Sequence, residues 1–395
     1  MIVLAGGDLV LPDRIAGAAS LLVDDGRIVA IDPRPRVEPA GASVVDAGEH
    51  YVLPGFIDVH VHGVLGRDTL GGRGSVAAIA ATLPRFGVTA FCPTSVACGP
   101  ADLDAMLADV REARLAPAAA SARVLPAHLE SNFINSDYRG AQPLDCIRTA
   151  AEPARGGSFG GADILGVIGT HQPDVGIVTL APEMPGGLAL VGQLSRAGVL
   201  VSIGHTGATF DEAAAAVDAG ARHATHLFNR MTPMAHRAPG AAGAVLARDE
   251  VCVELICDGF HVHPAVCRVA IAAKGVQGVM AITDGTAASG LAEGARARLG
   301  SQSIIAGTHA ALLADGTLAG STLTMDRAFR TLVARLGLSL ADAAVLCATT
   351  PARQLRLAGF GAIAEGAAAD LVILDRSLQV VRTFVGGREV YRREP

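Results

Sequence analysis

The feature that most limits how this chain can fold is a series of apolar segments along its middle, most of them followed by alanine-rich helical stretches. Parallel strands that are covered by helices read as nearly continuous apolar runs of this kind. The segments are GFIDVHVHG, GVTAFCPTSV, ARVLPAHLES, GIVTLAPE, GVLVSIGHTG, HATHLFN, VCVELICDGFH and GVMAITDGT. Eight strand–helix units over roughly 290 residues favour a (β/α)8 barrel. A doubly wound sheet is the competing fold, but no Gly-x-Gly-x-x-Gly motif follows any of these segments.

The two ends of the chain differ from this middle, because both read as short strands joined by turns. Asp25-Gly26 and Gly386-Gly387 each separate two apolar runs, which is typical of hairpins. We therefore predict an α/β protein with a TIM-like (β/α)8 barrel over residues 54–355. A small β-sandwich domain is expected to form from both termini, residues 1–53 and 356–395.

The composition excludes several classes of function. The net charge is −6 and tryptophan is absent, which argues against a nucleic-acid surface. Mean hydropathy is +0.40, yet no apolar run reaches the roughly 20 residues of a membrane span. The first residues lack the features of an export signal, and the seven cysteines include no Cys-x-x-Cys pair. We expect a cytoplasmic protein with reduced, mostly buried thiols and no membrane or nucleic-acid partner.

Polar side chains of the types that bind metals stand at the ends of the predicted strands. They are His60 and His62 after the first strand, Glu130 after the third, His205 after the fifth, His226 after the sixth and Asp284 after the eighth. Residues two apart in a strand face the same side, and the carboxyl ends of barrel strands converge on one mouth. Imidazole and carboxylate ligands suit Zn²⁺, Fe²⁺, Co²⁺ or Mn²⁺. Each residue alone is also compatible with a structural role, but the set predicts a metal site.

The remaining histidines have weaker patterns. His128 precedes Glu130 by two residues and is expected to pack behind the site. His223 lies inside the sixth strand and reads as structural. His261 follows the seventh strand in CDGFHVHP, where it can reach a polar group of a substrate, whereas His263 is expected to lie farther out.

Several ordered motifs resemble the N-acetylglucosamine-6-phosphate deacetylases of the amidohydrolase superfamily. They are PGFIDVHVHG, HLE, IGHTGAT, THLFNRM, ICDGFHVHP, ITDGT and LAGSTLTM, and the resemblance covers nearly the whole chain. PGFIDVHVHG alone indicates only the superfamily, whereas THLFNRM, GHTGAT and LAGSTLTM are more specific. The resemblance implies a metal-dependent hydrolase that removes the acetyl group from N-acetylglucosamine 6-phosphate. It also implies a barrel, a small β-sandwich and a homodimer.

The resemblance also assigns roles to individual residues. Glu130, His205 and His226 match the ligands of the main metal, with zinc preferred over iron, cobalt or manganese. His60 and His62 are available for a second ion that Glu130 would bridge, so one or two ions are expected. Asp284 matches the catalytic aspartate and His261 the histidine that contacts the substrate. In FNRMTPMAHRAPG, Asn229 and Arg237 match phosphate-binding positions, with Arg237 acting across a dimer interface, and Arg230 is expected to bind substrate beside them.

Lysine content excludes one related subgroup. Hydantoinase-like and urease-like relatives bridge two metals with a carboxylated lysine at the end of a barrel strand. Lys274 is the only lysine of this chain and precedes the eighth strand, where no bridging ligand belongs. The resemblance to the deacetylases implies that Glu130 supplies the bridging position instead.

One loop departs from the resemblance. Ser131 and Asn132 replace the Gly-Pro that usually follows the glutamate, and Gln142 replaces a histidine that faces the substrate. We expect this loop to lie over the substrate rather than on the metal, with Gln142 as a substrate contact. The changes indicate either neutral drift or a different substrate, such as N-acetylgalactosamine 6-phosphate, an unphosphorylated sugar or another small N-acyl amide. A barrel without activity that serves as a scaffold is a further alternative, although all the predicted ligands are present.

Overall fold

The barrel is built from parallel strands that match the predicted apolar segments. The computed structural model describes residues 1–32, 41–154 and 158–394, and eight barrel strands lie within those ranges. In chain order they are Phe56–Val61, Val88–Ser95, Ala127–Glu130, Val175–Leu180, Leu200–Ile203, His223–Ala224, Cys252–Ile256 and Val279–Ile282. Each pairs in parallel with the next around the barrel, and most of their residues are buried because helices cover them. The predicted fold class is confirmed.

A helix follows each barrel strand and covers its outer side. The helices are Ser75–Thr82, Pro100–Leu115, Gly161–Thr170, Gly187–Arg196, Phe210–Asp218, Gly240–Ala247, Pro264–Lys274 and Met325–Ala334, with the shorter Leu340–Ala344 and Thr350–Gln354 after them. Thr209 begins the fifth of these helices, because its side chain accepts a hydrogen bond from the Glu212 amide while Glu212 bonds back to Thr209. In the described ranges, no helix is long and apolar enough to cross a membrane.

The barrel closes between its first and last strands. The amides of His62 and Gly63 donate to the Gly285 carbonyl at 2.8 and 3.0 Å. Below them, the fully buried Asp58 accepts hydrogen bonds from the Thr283 hydroxyl at 2.6 Å and the Thr283 amide at 3.3 Å. Burial raises the pKa of Asp58 to about 7 despite these bonds. The seam fixes the height of His62 relative to the end of the eighth strand.

Both termini join one largely antiparallel sheet beside the barrel. Its strands are Ile2–Val10, Ile15–Asp24, Arg27–Asp32, Ser43–Asp46, Tyr51–Pro54, Leu371–Leu374, Val380–Val385 and Arg388–Arg392. Tyr51–Pro54 pairs with Leu371–Leu374, so the strand just before the first barrel strand joins the first of the three C-terminal strands of this sheet. The hairpins at Asp25-Gly26 and Gly386-Gly387 are confirmed. Apolar side chains from both ends, including Leu21 and Phe384, share one core.

An antiparallel sheet that the sequence patterns did not predict follows the eighth barrel strand. Its strands are Arg296–Leu299, Gln302–Ala306, Ala310–Leu312 and Leu318–Ser321. The Ser321 amide donates to the Asp284 carbonyl at 2.9 Å, which anchors this sheet to the mouth of the barrel. Leu299 and Leu318 from this sheet line the main cavity.

Candidate active site

Three of the predicted site residues occupy an unusual backbone conformation at the strand ends. His205, His226 and Asp284 have φ values of 47°, 28° and 48°. Residues other than glycine seldom adopt positive φ, and such strain concentrates at functional sites. Here the chain turns sharply as each strand ends, and all three residues line the cavity in the barrel mouth.

Glu130 lies at the centre of the converging side chains. Its Oε1 atom is 2.8 Å from Nε2 of His205 and 2.8 Å from Nε2 of His226, and these two nitrogens are 3.1 Å apart. All three side chains are almost completely buried. The structure thus brings together the three residues predicted as ligands of the main metal.

The predicted pair from the first strand faces the same space. Nε2 of His60 and Nε2 of His62 are 3.1 Å apart, and Oδ1 of Asp284 lies 3.4 and 3.3 Å from them. Glu130 is more distant, at 3.8 Å from His60 and 3.5 Å from His62. Asp284 therefore lies closer to the histidine pair than Glu130 does, and both Asp284 and His62 line the cavity.

The donor set fits a divalent cation. Ligands about 2.0–2.2 Å from a tetrahedral Zn²⁺ stand roughly 3.3–3.6 Å apart. The atoms of Glu130, His205 and His226 are 2.8–3.1 Å apart, so a small outward movement of these side chains would fit them to such an ion. Nδ1 of His205 lies 2.8 Å from the Tyr138 carbonyl oxygen, so that nitrogen carries the proton and Nε2 is left as the ligand atom. Among the described residues, two candidate ligand groups share Glu130, one with His205 and His226 and one with His60 and His62.

Glu254 is a buried carboxylate beneath the site that the sequence patterns did not single out. Its oxygens accept hydrogen bonds from Nδ1 of His60 at 2.9 Å, Nε2 of His223 at 2.9 Å and the His226 amide at 3.0 Å. A carboxylate that holds Nδ1 of a ligand histidine fixes the tautomer with Nε2 free for a metal. A single Glu within the apolar run VCVELIC was the available signal, because an unpaired acid is costly in such a strand.

The histidines beneath the mouth have structural partners, as predicted. Nδ1 of His128 lies 2.9 Å from the Val59 carbonyl and its Nε2 lies 2.7 Å from the Thr179 hydroxyl. Burial lowers the pKa of His128 to about 3, so this ring stays neutral. His223 binds Glu254, which makes it part of the support for the site rather than a ligand.

The charges in the mouth favour ionised carboxylates. Burial alone would raise the pKa of Glu130, but the adjacent His205 and His226 hold it well below its usual value. Burial is likewise outweighed for Asp284, whose pKa is lowered by His60 and His62. Burial lowers the pKa of His60 while Glu254 and Asp284 raise it, to about 10 overall. The ionised carboxylates of the mouth are thus stabilised by positive charge beside them. Protonated imidazoles can supply this charge, and a bound cation supplies it when the imidazoles are neutral.

A cavity of about 440 Å³ opens above these side chains, within the size range of small-molecule sites. Four of the residues predicted to contact a substrate line it, namely Gln142, Asn229, Arg230 and His261. Arg237 does not: it is exposed and lines a neighbouring cavity formed by residues 208–211 and 232–240. Within a single chain, the structure leaves Arg237 apart from the other predicted contacts.

His261 is held by Asp258, which the sequence patterns also missed. Nδ1 of His261 is 2.6 Å from one carboxylate oxygen of Asp258, and the amides of Phe260 and His261 donate to the other at 2.8 Å. Nδ1 therefore carries a proton, and Nε2 of His261 is left for the cavity.

The loop after Glu130 differs from the expectation in its detail. The Ser131 hydroxyl donates to the Thr179 carbonyl at 2.6 Å, and the Asn132 amide donates to the carbonyls of Cys98 and Cys146 at 2.8 and 2.7 Å. Both side chains thus hold the loop in place and do not line the cavity. The expectation that this loop stays off the metal site was wrong for Gln142, whose amide donates to Oε2 of Glu130.

Lys274 lies away from the mouth, as predicted. Its ammonium group donates to the carbonyls of Val245 and Arg248 at 3.3 and 2.6 Å on the outside of the barrel. The cysteines are free within the described ranges, and most are buried.

The chain is similar in sequence and in fold to amidohydrolases that remove acetyl groups from amino-sugar phosphates. The amidohydrolase family matches residues 51–390. An N-acetylglucosamine-6-phosphate deacetylase from Lysinibacillus sphaericus is 35% identical over 92% of this chain and 91% of its own. An N-acetylgalactosamine-6-phosphate deacetylase from Escherichia coli O157:H7 is 32% identical over 93% of each chain. A mutant of the Mycobacterium smegmatis N-acetyl-D-glucosamine-6-phosphate deacetylase, solved in complex with N-acetyl-D-glucosamine-6-phosphate, is 34% identical with a TM-score of 0.87, covering 98% of this chain and 99% of that one.

Proposed function

The chain belongs to the amidohydrolase family, and we propose from this that it is a metal-dependent deacetylase of N-acetylglucosamine 6-phosphate, releasing acetate and glucosamine 6-phosphate. The observation that carries the proposal is the convergence of Glu130, His205 and His226 beside Asp284 at the floor of one cavity. Metal-dependent hydrolysis of an unactivated amide uses this combination of ligands for a cation and an adjacent ionised base.

Glu130, His205 and His226 would hold the metal ion, for which we propose zinc, with iron, cobalt or manganese as alternatives. A bound ion of this kind lowers the pKa of water and polarises a carbonyl. Asp284 would accept the proton of the attacking water at a carboxylate oxygen and then deliver it to the departing amine nitrogen. Its lowered pKa keeps it ionised, and therefore basic, at neutral pH.

Substrate binding would fall to the polar side chains of the cavity wall. His261, fixed by Asp258, presents Nε2 to the acetyl carbonyl or a sugar hydroxyl. Arg230 would bind the 6-phosphate by charge-assisted hydrogen bonds, and Asn229 would add a neutral one. Arg237 is exposed, which supports a contribution across the interface of a homodimer rather than within its own chain. We further propose that the protein works in the cytoplasm.

A second candidate substrate is N-acetylgalactosamine 6-phosphate. It is favoured by the position of Gln142, which lines the cavity. The N-acetylglucosamine-6-phosphate deacetylases that the chain resembles have a histidine at this position. Gln cannot carry charge at neutral pH, so its hydrogen bonds to a sugar differ from those of histidine.

Acetate release from a panel of sugars tests both candidates. The panel contains N-acetylglucosamine 6-phosphate, its galactosamine epimer and the two unphosphorylated sugars, assayed with zinc-loaded protein of measured metal content. We expect the highest kcat/KM for N-acetylglucosamine 6-phosphate. A preference for the epimer would select the second candidate, and no activity on either hexosamine phosphate would exclude both.

A further inference from the structure

Gln142 connects the cavity wall to the predicted metal site. It is 5% exposed and lies in the loop that follows Glu130, with its backbone amide bonded to the Arg139 carbonyl at 3.0 Å. Its side chain contacts Oε2 of Glu130 on one side and the Ala97 amide on the other. The side chain is therefore fixed at both ends of its amide group.

The Ala97 contact decides which way this amide points. The Ala97 N–H can only donate, and it lies 2.7 Å from Oε1 of Gln142. An oxygen must face it, so the NH₂ group of Gln142 faces Glu130. The hydrogen bond to Glu130 thus follows from backbone geometry and not from a free choice of rotamer.

The two oxygens of Glu130 have different partners as a result. Oε1 faces His205 and His226, both at 2.8 Å. Oε2 accepts from Gln142, and it is also the oxygen nearest to His62, at 3.5 Å. A second cation at His60 and His62 would have to bind the remaining lone pair of Oε2 beside the Gln142 NH₂ group, whose partial positive charge repels a cation.

We propose that the Gln142 amide occupies Oε2 of Glu130 and thereby restricts this protein to a single metal ion, held by Oε1, His205 and His226. His60 and His62 then remain as neighbours of Asp284 and do not complete a second site. The inference rests on the metal ligands of the proposed function, and it selects one ion where the sequence left one or two open.

Metal stoichiometry tests this without an activity readout. Purified full-length protein is stripped of metal, dialysed to equilibrium against excess Zn²⁺ and analysed by elemental mass spectrometry. The wild type is expected to bind a single ion per chain. Gln142→Glu keeps the acceptor for Ala97 and replaces the donor by a carboxylate, so it is expected to bind a second ion. Gln142→Leu, which removes the donor without adding charge, serves if the first variant folds poorly, with the same expectation.

Two further variants locate the effect. Ser131→Ala removes a hydrogen bond in the same loop without touching Glu130, and it is expected to keep a single ion. Combining Gln142→Glu with His62→Ala is expected to abolish the second ion. Two ions in the wild type, a single ion in both Gln142 variants, or a second ion in Ser131→Ala would each overturn the role of Gln142. A wild type that binds no ion would instead overturn the metal site of the proposed function.

Discussion

Replacing Glu254 by glutamine tests whether a buried carboxylate organises the floor of the site. The change preserves the shape of the side chain but removes its charge and one of its two acceptors. In the wild type, the Glu254 carboxylate accepts hydrogen bonds from His60, His223 and the His226 amide, all within 3.0 Å. Glutamine can keep its oxygen towards His60 and His226, which leaves an NH₂ group facing His223.

The magnitude follows from these three bonds. A hydrogen bond to a charged group contributes about 1.5–3 kcal/mol and a neutral one about 0.5–1.5 kcal/mol. Losing the bond to His223 costs about 1.5–3 kcal/mol, and converting the other two from charged to neutral costs about 1–1.5 kcal/mol each. The total of about 3.5–6 kcal/mol overlaps the range of about 3–5 kcal/mol for removing one partner of a buried ion pair. Loosening a carboxylate that supports ligand histidines also weakens metal binding by about 10–100-fold.

Two measurements check this prediction. Urea unfolding followed by circular dichroism reports the stability difference between variants, and competition with a chelating dye reports zinc affinity. Glu250→Gln is the matched control, because it is the same chemical change four residues earlier at a side chain that is 42% exposed. If Glu254→Gln unfolds and binds zinc like the wild type, the carboxylate does not hold the histidines and the reasoning fails.

Three further predictions concern the chemistry. Asp284→Asn is expected to keep its metal while kcat falls by about 10²–10⁴-fold, the usual contribution of a general base, and near-normal turnover would exclude this role. Arg230→Ala and Arg237→Ala are expected to raise KM for phosphorylated substrates only; an equal rise for unphosphorylated sugars would exclude the phosphate contact. Chelation is expected to abolish activity and to lower stability, by about 2.7 kcal/mol relative to protein with free ion at 100 times Kd. Zinc should restore both, and less completely at low pH, because ligand imidazoles must lose their protons; unchanged thermal unfolding after chelation would show that no ion stabilises the fold.

The predicted metal ligands and the predicted catalytic aspartate share one property. His60, His62, Glu130, His205, His226 and Asp284 all lie at or just beyond the ends of barrel strands. Once the spacing of apolar segments indicated a barrel, their meeting at one mouth followed from strand direction alone. The residues that the sequence patterns missed lie elsewhere: Glu254 inside a strand, and Asp258 in a tight turn after it. Their roles depend on which donors the neighbouring strands place beside them, and periodicity carries no information about that.

The sequence by itself determined the fold class, the pairing of the two termini and the convergence of the strand-end histidines and carboxylates on one mouth, because hydrophobic period and strand ends are local properties of the chain. Only the tertiary structure decided how the two oxygens of Glu130 are used. Gln142 reaches Oε2 because the Ala97 amide, from a different barrel loop, fixes its orientation. The extra sheet over residues 296–321 and the outward position of Arg237 were likewise decided by packing. Contacts between distant loops depend on the geometry of the whole barrel, which no local pattern records.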